Sequence, residues 1–222
     1  MTFIKKTFHS LDKIFSNELY LNDYIKKILG KNKISIIDVG ASGILEKNKF
    51  NIRIDNKFTE ISKFDDNLSL QNKNNKLFNK ILWSEEKDLD FYIRKNQVSS
   101  SLYKTNNEIL KDFDNFSEHE VIESIKVKSS KIFDIEELID IDLIKIDAEG
   151  AELEILRGME SKLDSVFVIE LEAQFIERYI GSPLFFEINK YLTEKDFEIF
   201  LINQEAWIRN KKNSNINSNH KI

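Results

Sequence analysis

The chain has no cysteine among its 222 residues. Disulfide bonds, thiolate catalysis and cysteine-ligated metal sites are therefore excluded, and the absence agrees with a reducing compartment. The sequence also has no apolar run long enough to span a bilayer, and its amino terminus lacks the apolar core of a signal peptide. We therefore expect a cytoplasmic protein without a transmembrane segment.

Basic residues are slightly outnumbered, since 33 Lys and Arg face 38 Asp and Glu and leave a net charge of −5. This acidic balance argues against a general affinity for nucleic acid. Hydrophobic residues make up 41% and charged residues 32% of the chain, a composition typical of globular proteins. The length suffices for one α/β domain with a full core but hardly for two.

Short apolar runs rich in β-branched residues alternate with helical patterns, which predicts an α/β domain with a mainly parallel sheet. We expect an amino-terminal helical cap at 1–30, the α/β domain at 31–210 and a polar tail at 211–222. The long irregular stretch at 95–120 is predicted to cover an active site. The predicted strands are 34–39, 51–55, 80–83, 89–93, an edge strand at 126–130, one ending at 147, 166–171 and an antiparallel pair at 197–202 and 206–209; the predicted helices are 3–29, 58–79, 132–139, one following residue 150, and 183–192.

The most informative stretch is 143–158, where a buried strand ends at Asp147 and a turn through Glu149 leads into an amphipathic helix. Ligand sites of open α/β sheets lie at such junctions, because the carboxyl ends of parallel strands open into a crevice. A lysine in a buried strand needs a partner or a function, and Lys145 shares a strand face with Asp147. A purely structural interpretation stays open, in which Lys145 pairs with Asp147 or Asp38, while Glu149 and Glu152 favour the helix amino end.

The first strand leads into a turn of small residues at 38–43, DVGASG, where the backbone can approach a ligand closely. Asp55 ends the next predicted strand, at the position where Rossmann-like folds hold an acid against ribose hydroxyls. The third glycine of the dinucleotide fingerprint is missing, because position 46 is Glu. NAD is therefore disfavoured, since its pyrophosphate would be repelled there. S-adenosylmethionine has no phosphate and escapes this objection.

Several segments resemble the FkbM family of S-adenosylmethionine-dependent methyltransferases. The resemblance implies a Rossmann-like class I methyltransferase fold, with an antiparallel pair at the carboxyl edge of the sheet. Two departures are the end of the second strand, RIDN at 53–56, and a short charged segment between Gly43 and Asn51. The matching segments are 36–43 (IIDVGASG), 99–102 (SSSL), 144–152 (IKIDAEGAE), 170–172 (ELE) and 179–185 (YIGSPLF).

The function implied by this resemblance is methyl transfer from S-adenosylmethionine to a hydroxyl of a sugar, a glycan or another small metabolite. The alternatives are a degenerate binding module without catalysis, and a nucleotide-sugar or NAD binder. A carboxylate could act as the base or hold a divalent cation that acidifies the hydroxyl, and His119 is a further candidate base. The expected site residues are Lys145, Asp147 and Glu149 for catalysis; Asp38, Gly40, Ala41, Ser42, Gly43, Asp55, Trp83 and Ser84 for the cofactor; and Ser100, Ser101, Glu170 and Glu172 for the acceptor.

Overall fold

The largest element of the fold is a seven-stranded sheet. The computed structural model describes residues 1–5, 34–40, 59–64, 75–204 and 209. A second, three-stranded sheet lies beside the seven-stranded sheet. The strands are β1 Thr2–Lys5, β2 Ile34–Val39, β3 Thr59–Phe64, β4 Asn75–Phe78, β5 Ile81–Leu82, β6 Asp88–Arg94, β7 Val121–Ser130, β8 Leu143–Ile146, β9 Val168–Leu171 and β10 Phe197–Leu201.

The main sheet has the strand order β10-β1-β9-β8-β2-β3-β4. The five strands from β9 to β4 run parallel, whereas β1 is antiparallel to both β9 and β10. Parallel strands are covered on both faces and therefore read as continuous apolar runs. Every residue of β9 is buried accordingly. The carboxyl ends of β2, β8 and β9 consequently meet at one edge of the sheet.

The smaller sheet has the order β5-β7-β6, with β6 and β7 forming an antiparallel pair and β5 parallel to β7. Between β6 and β7 the chain forms the short helix α1, Asn107–Leu110, and the 3₁₀ turns Gln97–Ser99 and Phe116–His119. An isolated bridge between Tyr92 and Ser101 folds this connection back onto β6. The irregular stretch predicted at 95–120 is therefore fixed to its own sheet.

Two longer helices flank the main sheet, α2 at Glu152–Arg157 and α3 at Phe185–Glu194. Leu156 of α2 and Leu192 of α3 are fully buried with Ile144 and Ile169 of the central strands, so helices and sheet share one core. Among the residues that the structure describes, no helix has the length and apolar character needed to cross a membrane.

The helix predicted from residue 3 is wrong at its start, because Thr2–Lys5 is a strand in which Phe3 and Ile4 are buried. Hydrogen-bonding partners on both sides, β9 and β10, outweigh the local helical pattern of this segment. Residues 6–29 lie outside the described part. The helix predicted at 58–79 is also wrong where the structure describes this segment, since β3 lies there parallel to β2, and β4 lies parallel to β3.

Three further predictions are corrected. The segment 126–130 is not an edge strand, because β7 lies between β5 and β6. The helix predicted at 132–139 is replaced by consecutive three-residue turns, in which Ile135 N–H donates to Ile132 and Leu138 N–H donates to Ile135. The antiparallel partner of β10 is β1, whereas most of 206–209 lies outside the described residues. The strands predicted at 34–39, 80–83, 89–93, 143–147 and 166–171 and the helices after residues 150 and 183 are confirmed within a few residues.

Candidate active site

Three neighbouring strands bring charged side chains to the same level of the sheet. Asp38 of β2 is in register with Lys145 of β8, which is in register with Glu170 of β9. One step beyond the strands lie Asp147, whose N–H donates to Val39, and Glu172, whose N–H donates to Ile146. Because parallel strands end together, side chains far apart in the sequence form one polar cluster at this edge.

The ion-pair partners of Lys145 explain why a lysine lies in this buried strand. Its Nζ lies 3.6 Å from Asp38 Oδ1 and 3.7 Å from Asp147 Oδ2. The Asp38 side chain is buried, whereas that of Asp147 is 44% exposed and can reach a ligand. Lys145 therefore compensates a buried carboxylate and holds a second one at the edge of the sheet.

A tight turn connects β8 to α2. Glu149 has a left-handed φ of 49°, which is costly for a residue with a side chain, and Gly150 follows with φ 101°. Glu152 Oε1 accepts hydrogen bonds from the N–H groups of Ala148 and Gly150, at 3.0 and 3.2 Å. Burial raises the pKa of Glu152 to about 8, although these backbone hydrogen bonds favour its ionised form. Glu152 therefore has a structural role, since its carboxyl group holds the turn.

Glu149 is held from three sides. The Tyr179 hydroxyl donates to Oε2 at 2.5 Å, and a guanidinium nitrogen of Arg178 lies 3.6 Å from the same atom. The Ser101 hydroxyl donates to the backbone carbonyl of Glu149 at 2.6 Å. Burial raises the pKa of Glu149, with opposing contributions from Arg178 and the Tyr179 hydrogen bond. These contacts explain how the strained φ of Glu149 is maintained.

Glu172 is the most accessible member of the cluster together with Asp147. Arg178 donates to Glu172 Oε1 at 2.8 Å, and 45% of the Glu172 side chain is exposed. Desolvation and the neighbouring Glu149 and Asp147 carboxyl groups together raise the pKa of Glu172 to about 7, against the attraction of Arg178. One carboxylate oxygen each from Asp147, Glu149 and Glu172 lies within 4.8 Å of the others, a spacing compatible with a single divalent cation.

A buried arginine, which the sequence analysis missed, fixes the segment in front of the site. Arg94 is fully buried, and its guanidinium donates to the carbonyls of Ser99 and Tyr103 and to the Thr105 hydroxyl at 2.6–2.8 Å. It also lies over the ring of Tyr179, 4.5 Å from the centroid. Arg94 therefore joins the segment 99–105 to the residue that holds Glu149. Its position inside a hairpin strand gave no sequence signal for this role.

Two cavities open at this edge of the sheet. The one that we call the β2 cavity, of about 400 Å³, is lined by Val39, Gly40 and the segments 80–82 and 97–102. The β9 cavity, of about 600 Å³, is lined by the end of β9 and the residues after it, 170–176 and 178, by residues 145–147 and by residues 202–204 after β10. Asp147 and Glu172 line both cavities. The polar cluster therefore separates two spaces of the size used for small ligands.

The predicted site residues distribute unevenly around these cavities. Gly40, Ser100 and Ser101 line the β2 cavity, whereas Glu170 lines the β9 cavity. Trp83 is buried against Tyr103 and Ser84 donates to Glu154, so the structure does not bring this pair to the β2 cavity. Ala41, Ser42, Gly43 and Asp55 lie outside the described residues.

The candidate base His119 is 4% exposed and is not among the described residues that line either cavity. Burial, together with the nearby cations of Arg178 and Arg94, lowers its pKa to about 4. A neutral imidazole shielded in this way is poorly placed to reach an acceptor. Arg178 and Tyr179 instead belong to the site; the resemblance at 179–185 was a sequence signal for Tyr179, whereas Arg178 had none.

Comparison with known proteins identifies the family. The methyltransferase FkbM domain matches residues 46–199, more than half of the chain. The matched region contains Lys145, Asp147, Glu149 and Glu172, while Asp38 lies before it. No curated protein and no solved structure matches the chain. The chain therefore belongs to the FkbM methyltransferase family, and with it to the methyltransferases of class I-like α/β fold.

Proposed function

We propose that the protein transfers a methyl group from S-adenosylmethionine to a hydroxyl oxygen of a sugar, a glycan or another small metabolite. The observation that carries this proposal is the pair Asp147 and Glu172, which lines both cavities. Methyl transfer requires a donor and an acceptor oxygen held in line and almost in contact. Two cavities that meet at a pair of carboxyl groups satisfy this requirement and supply a proton acceptor at the meeting point.

The β2 cavity suits the cofactor. Its volume of about 400 Å³ is within the range of small-molecule sites, and Gly40 brings bare backbone to its wall. Among the described residues that line it, the carboxyl groups of Asp147, Glu149 and Glu172 outnumber the single lysine, Lys80, so the local field favours a cationic ligand. S-adenosylmethionine, when bound, supplies a methyl group that its positively charged sulfonium already activates.

Glu172 is the best-placed general base for the acceptor hydroxyl. Its pKa, raised to about 7, matches the value at which a base is both ionised and able to take a proton near neutral pH. Arg178 orients its carboxyl group through the 2.8 Å hydrogen bond, and Lys145 holds the neighbouring Asp147. Glu149, which is bound by Tyr179, then shapes the site rather than accepting the proton itself.

A metal-assisted variant of the same reaction uses the same three carboxylates. A divalent cation bound by Asp147, Glu149 and Glu172 would acidify the acceptor hydroxyl directly. Treatment with EDTA separates the two mechanisms. Loss of turnover that Mg²⁺ or Mn²⁺ restores indicates the cation, whereas unchanged turnover indicates direct base catalysis.

Calorimetric titration tests the assignment of the cofactor. We expect S-adenosylmethionine and S-adenosylhomocysteine to bind and NAD and UDP-glucose not to bind. Binding of NAD or UDP-glucose in their place would support the nucleotide or nucleotide-sugar alternative. Binding of S-adenosylhomocysteine without methyl transfer to any member of a broad panel of hydroxyl acceptors would support a degenerate binding module.

A further inference from the structure

A buried amide in the wall of the β9 cavity has an unused hydrogen-bond acceptor. Gln174 is 6% exposed and lines the cavity, and its Oε1 has no hydrogen-bond partner in the described part of the chain. A buried acceptor without a donor destabilises the folded protein, so such atoms are rare in native structures. The carboxamide turns easily about its last side-chain bond, and this turn can present the oxygen to a ligand in the cavity.

The residue after it exposes an aromatic face at the same cavity. Phe175 lines the β9 cavity, and 58% of its surface is exposed. Its ring stacks on Phe185 with a centroid distance of 4.8 Å and an interplanar angle of 30°. The backbone carbonyl of Gln174 accepts a hydrogen bond from Phe185 N–H at 2.8 Å. The start of α3 therefore holds Gln174 and Phe175 as one unit.

We propose that Gln174 and Phe175 form the acceptor-recognition subsite, and that its ligand is a non-aromatic ring carrying at least two hydroxyl groups. One face of such a ring stacks its C–H groups on Phe175. One hydroxyl approaches Glu172 and a second donates to Gln174 Oε1. The proposal rests on the proposed function, because it places the methyl acceptor in the β9 cavity.

The rest of the cavity wall favours this ligand over the other classes that fit an aromatic platform. Glu170, Glu172, Asn203 and Gln204 surround the same space, so hydrogen-bonding groups face the ligand from several directions. A phenol whose single hydroxyl approaches Glu172 would leave Gln174 Oε1 without a donor. Lys145 and Arg178 line the same cavity as Glu170 and Glu172, so its charges do not by themselves select an anionic acceptor. A polyhydroxylated ring such as a pyranose satisfies both the platform and the polar wall.

Ligand-observed NMR titration tests the subsite without relying on turnover. The probes are the methyl glycosides of glucose, galactose and rhamnose, with cyclohexanol and phenol for comparison, each with and without saturating S-adenosylhomocysteine. We expect at least one glycoside to bind the wild type about tenfold more tightly than either comparison compound. Q174M and F175L should each weaken the binding of this glycoside at least fivefold. F186L, which alters another exposed phenylalanine, should leave the affinity for the glycoside unchanged.

Thermal unfolding gives a second measurement that needs no ligand. Q174M replaces the unsatisfied amide with an apolar side chain of similar shape, so it should raise the Tm of the free protein. A Tm that is unchanged or lower would show that Gln174 Oε1 has a partner in solution and would overturn the proposal. The proposal would also be overturned if no glycoside bound, if phenol bound as tightly as the glycosides, or if Q174M left the glycoside affinity unchanged.

The two proposals fail in different ways. Absence of S-adenosylhomocysteine binding, with glycoside binding retained and sensitive to Q174M, would contradict the methyltransferase assignment and leave the ring-binding subsite. Binding of S-adenosylhomocysteine that is unaffected by Q174M, together with loss of any glycoside preference, would contradict the subsite alone.

Discussion

A β-carbon on residue 40 would lie 1.7 Å from the carbonyl oxygen of Asp147, so the ends of β2 and β8 can approach each other only because residue 40 is glycine. The Asp147 N–H donates to the Val39 carbonyl at 3.0 Å and closes the same junction. Gly40 also has a φ of 78°, a conformation that residues with side chains rarely adopt. The position of the candidate catalytic aspartate therefore depends on the glycine that directly follows another strand, β2.

Gly40→Ala should destabilise the protein strongly, because the new methyl group displaces the backbone of Asp147 and cannot be accommodated by a side-chain rotation. We expect a loss in the free energy of unfolding of more than about 2 kcal/mol, measured by urea denaturation. Gly181→Ala is the matched control, since Gly181 has a similar φ of 76° but nothing within 4 Å of an added β-carbon. Equal losses in the two variants would show that φ, and not the contact with Asp147, sets the requirement.

Asp147→Asn should lower turnover by on the order of a hundredfold or more, because it removes a carboxylate from the point where the two cavities meet. Glu172→Gln should lower it at least as much if Glu172 accepts the proton. Affinity for S-adenosylhomocysteine, measured by calorimetry, should barely change in either variant. Asp164→Asn at an exposed position serves as the control. Full turnover in both cluster variants would assign the cluster a structural role.

The pH dependence of kcat/KM should show an acid limb near pH 7. The pKa of Glu172 is raised to about 7, so its carboxyl group is protonated and inactive as a base below this value and becomes ionised above it. Activity should therefore rise with pH through about 7 and level off, as read from initial rates between pH 5 and 9. Glu172→Gln should remove the limb. A flat profile for the wild type over this range would count against Glu172 as the base.

Glu152 should make the stability of the fold pH-dependent. Its pKa is raised from 4.5 to about 8 on folding, so the folded chain binds a proton more tightly than the unfolded chain. The contribution of Glu152 to the free energy of unfolding is fully present below about pH 4.5. It is lost as pH rises towards 8, at up to about 1.4 kcal/mol per pH unit. Glu152→Gln keeps the acceptor for Ala148 and Gly150 and should flatten this decline in urea titrations. The stability of the control variant Glu136→Gln, at an exposed position, should decline with pH like that of the wild type. The same decline in Glu152→Gln would show that the Glu152 carboxyl group ionises freely in the folded protein.

Arg94→Met should loosen the segment 97–103. The change leaves the carbonyls of Ser99 and Tyr103 without their buried donor, and each such loss costs about 1–3 kcal/mol. Amide hydrogen exchange in this segment should accelerate by at least tenfold, whereas Lys95→Met, at an exposed neighbouring position, should not change it. In the wild type we predict that exchange there slows further when cofactor and acceptor are both bound. Unchanged exchange in Arg94→Met would mean that the other contacts of the segment suffice to hold it.

The parts of the site that are local in the chain were predictable from the sequence. The junction from β8 to α2 follows from an apolar run, a glycine turn and an amphipathic pattern within sixteen residues. The pairing of Lys145 with Asp38 and Asp147 was also foreseeable, because a lysine in a buried strand requires a counter-charge. These inferences depend on chemistry that the sequence displays directly.

The contacts that join distant segments could not be predicted in this way. Tyr179 reaches Glu149 across 30 residues, and Ser101 reaches the same turn across 48. Gln174 Oε1 has no hydrogen-bond donor among the described residues, and no sequence pattern predicts this because it depends on all the elements that pack around the atom. The strand at Thr2–Lys5 was mistaken for a helix because four residues carry too little periodic signal to outweigh a longer pattern beside them.

The position of β1 between β9 and β10 also bears on how the chain folds. Thr2 pairs with Glu170 and with Leu201, so this strand has both of its partners only after residue 201 has been synthesised. Contacts between such distant segments slow folding, because a long loop must lose conformational entropy and close before any hydrogen bond between them can form. Until β10 is synthesised, β1 can pair with β9 but its other backbone edge is unpaired, and Met1, which precedes β1, lines the β9 cavity. Ribosome-bound or truncated chains that end before residue 197 would present that edge to other chains, so aggregation is expected to begin beside the acceptor cavity.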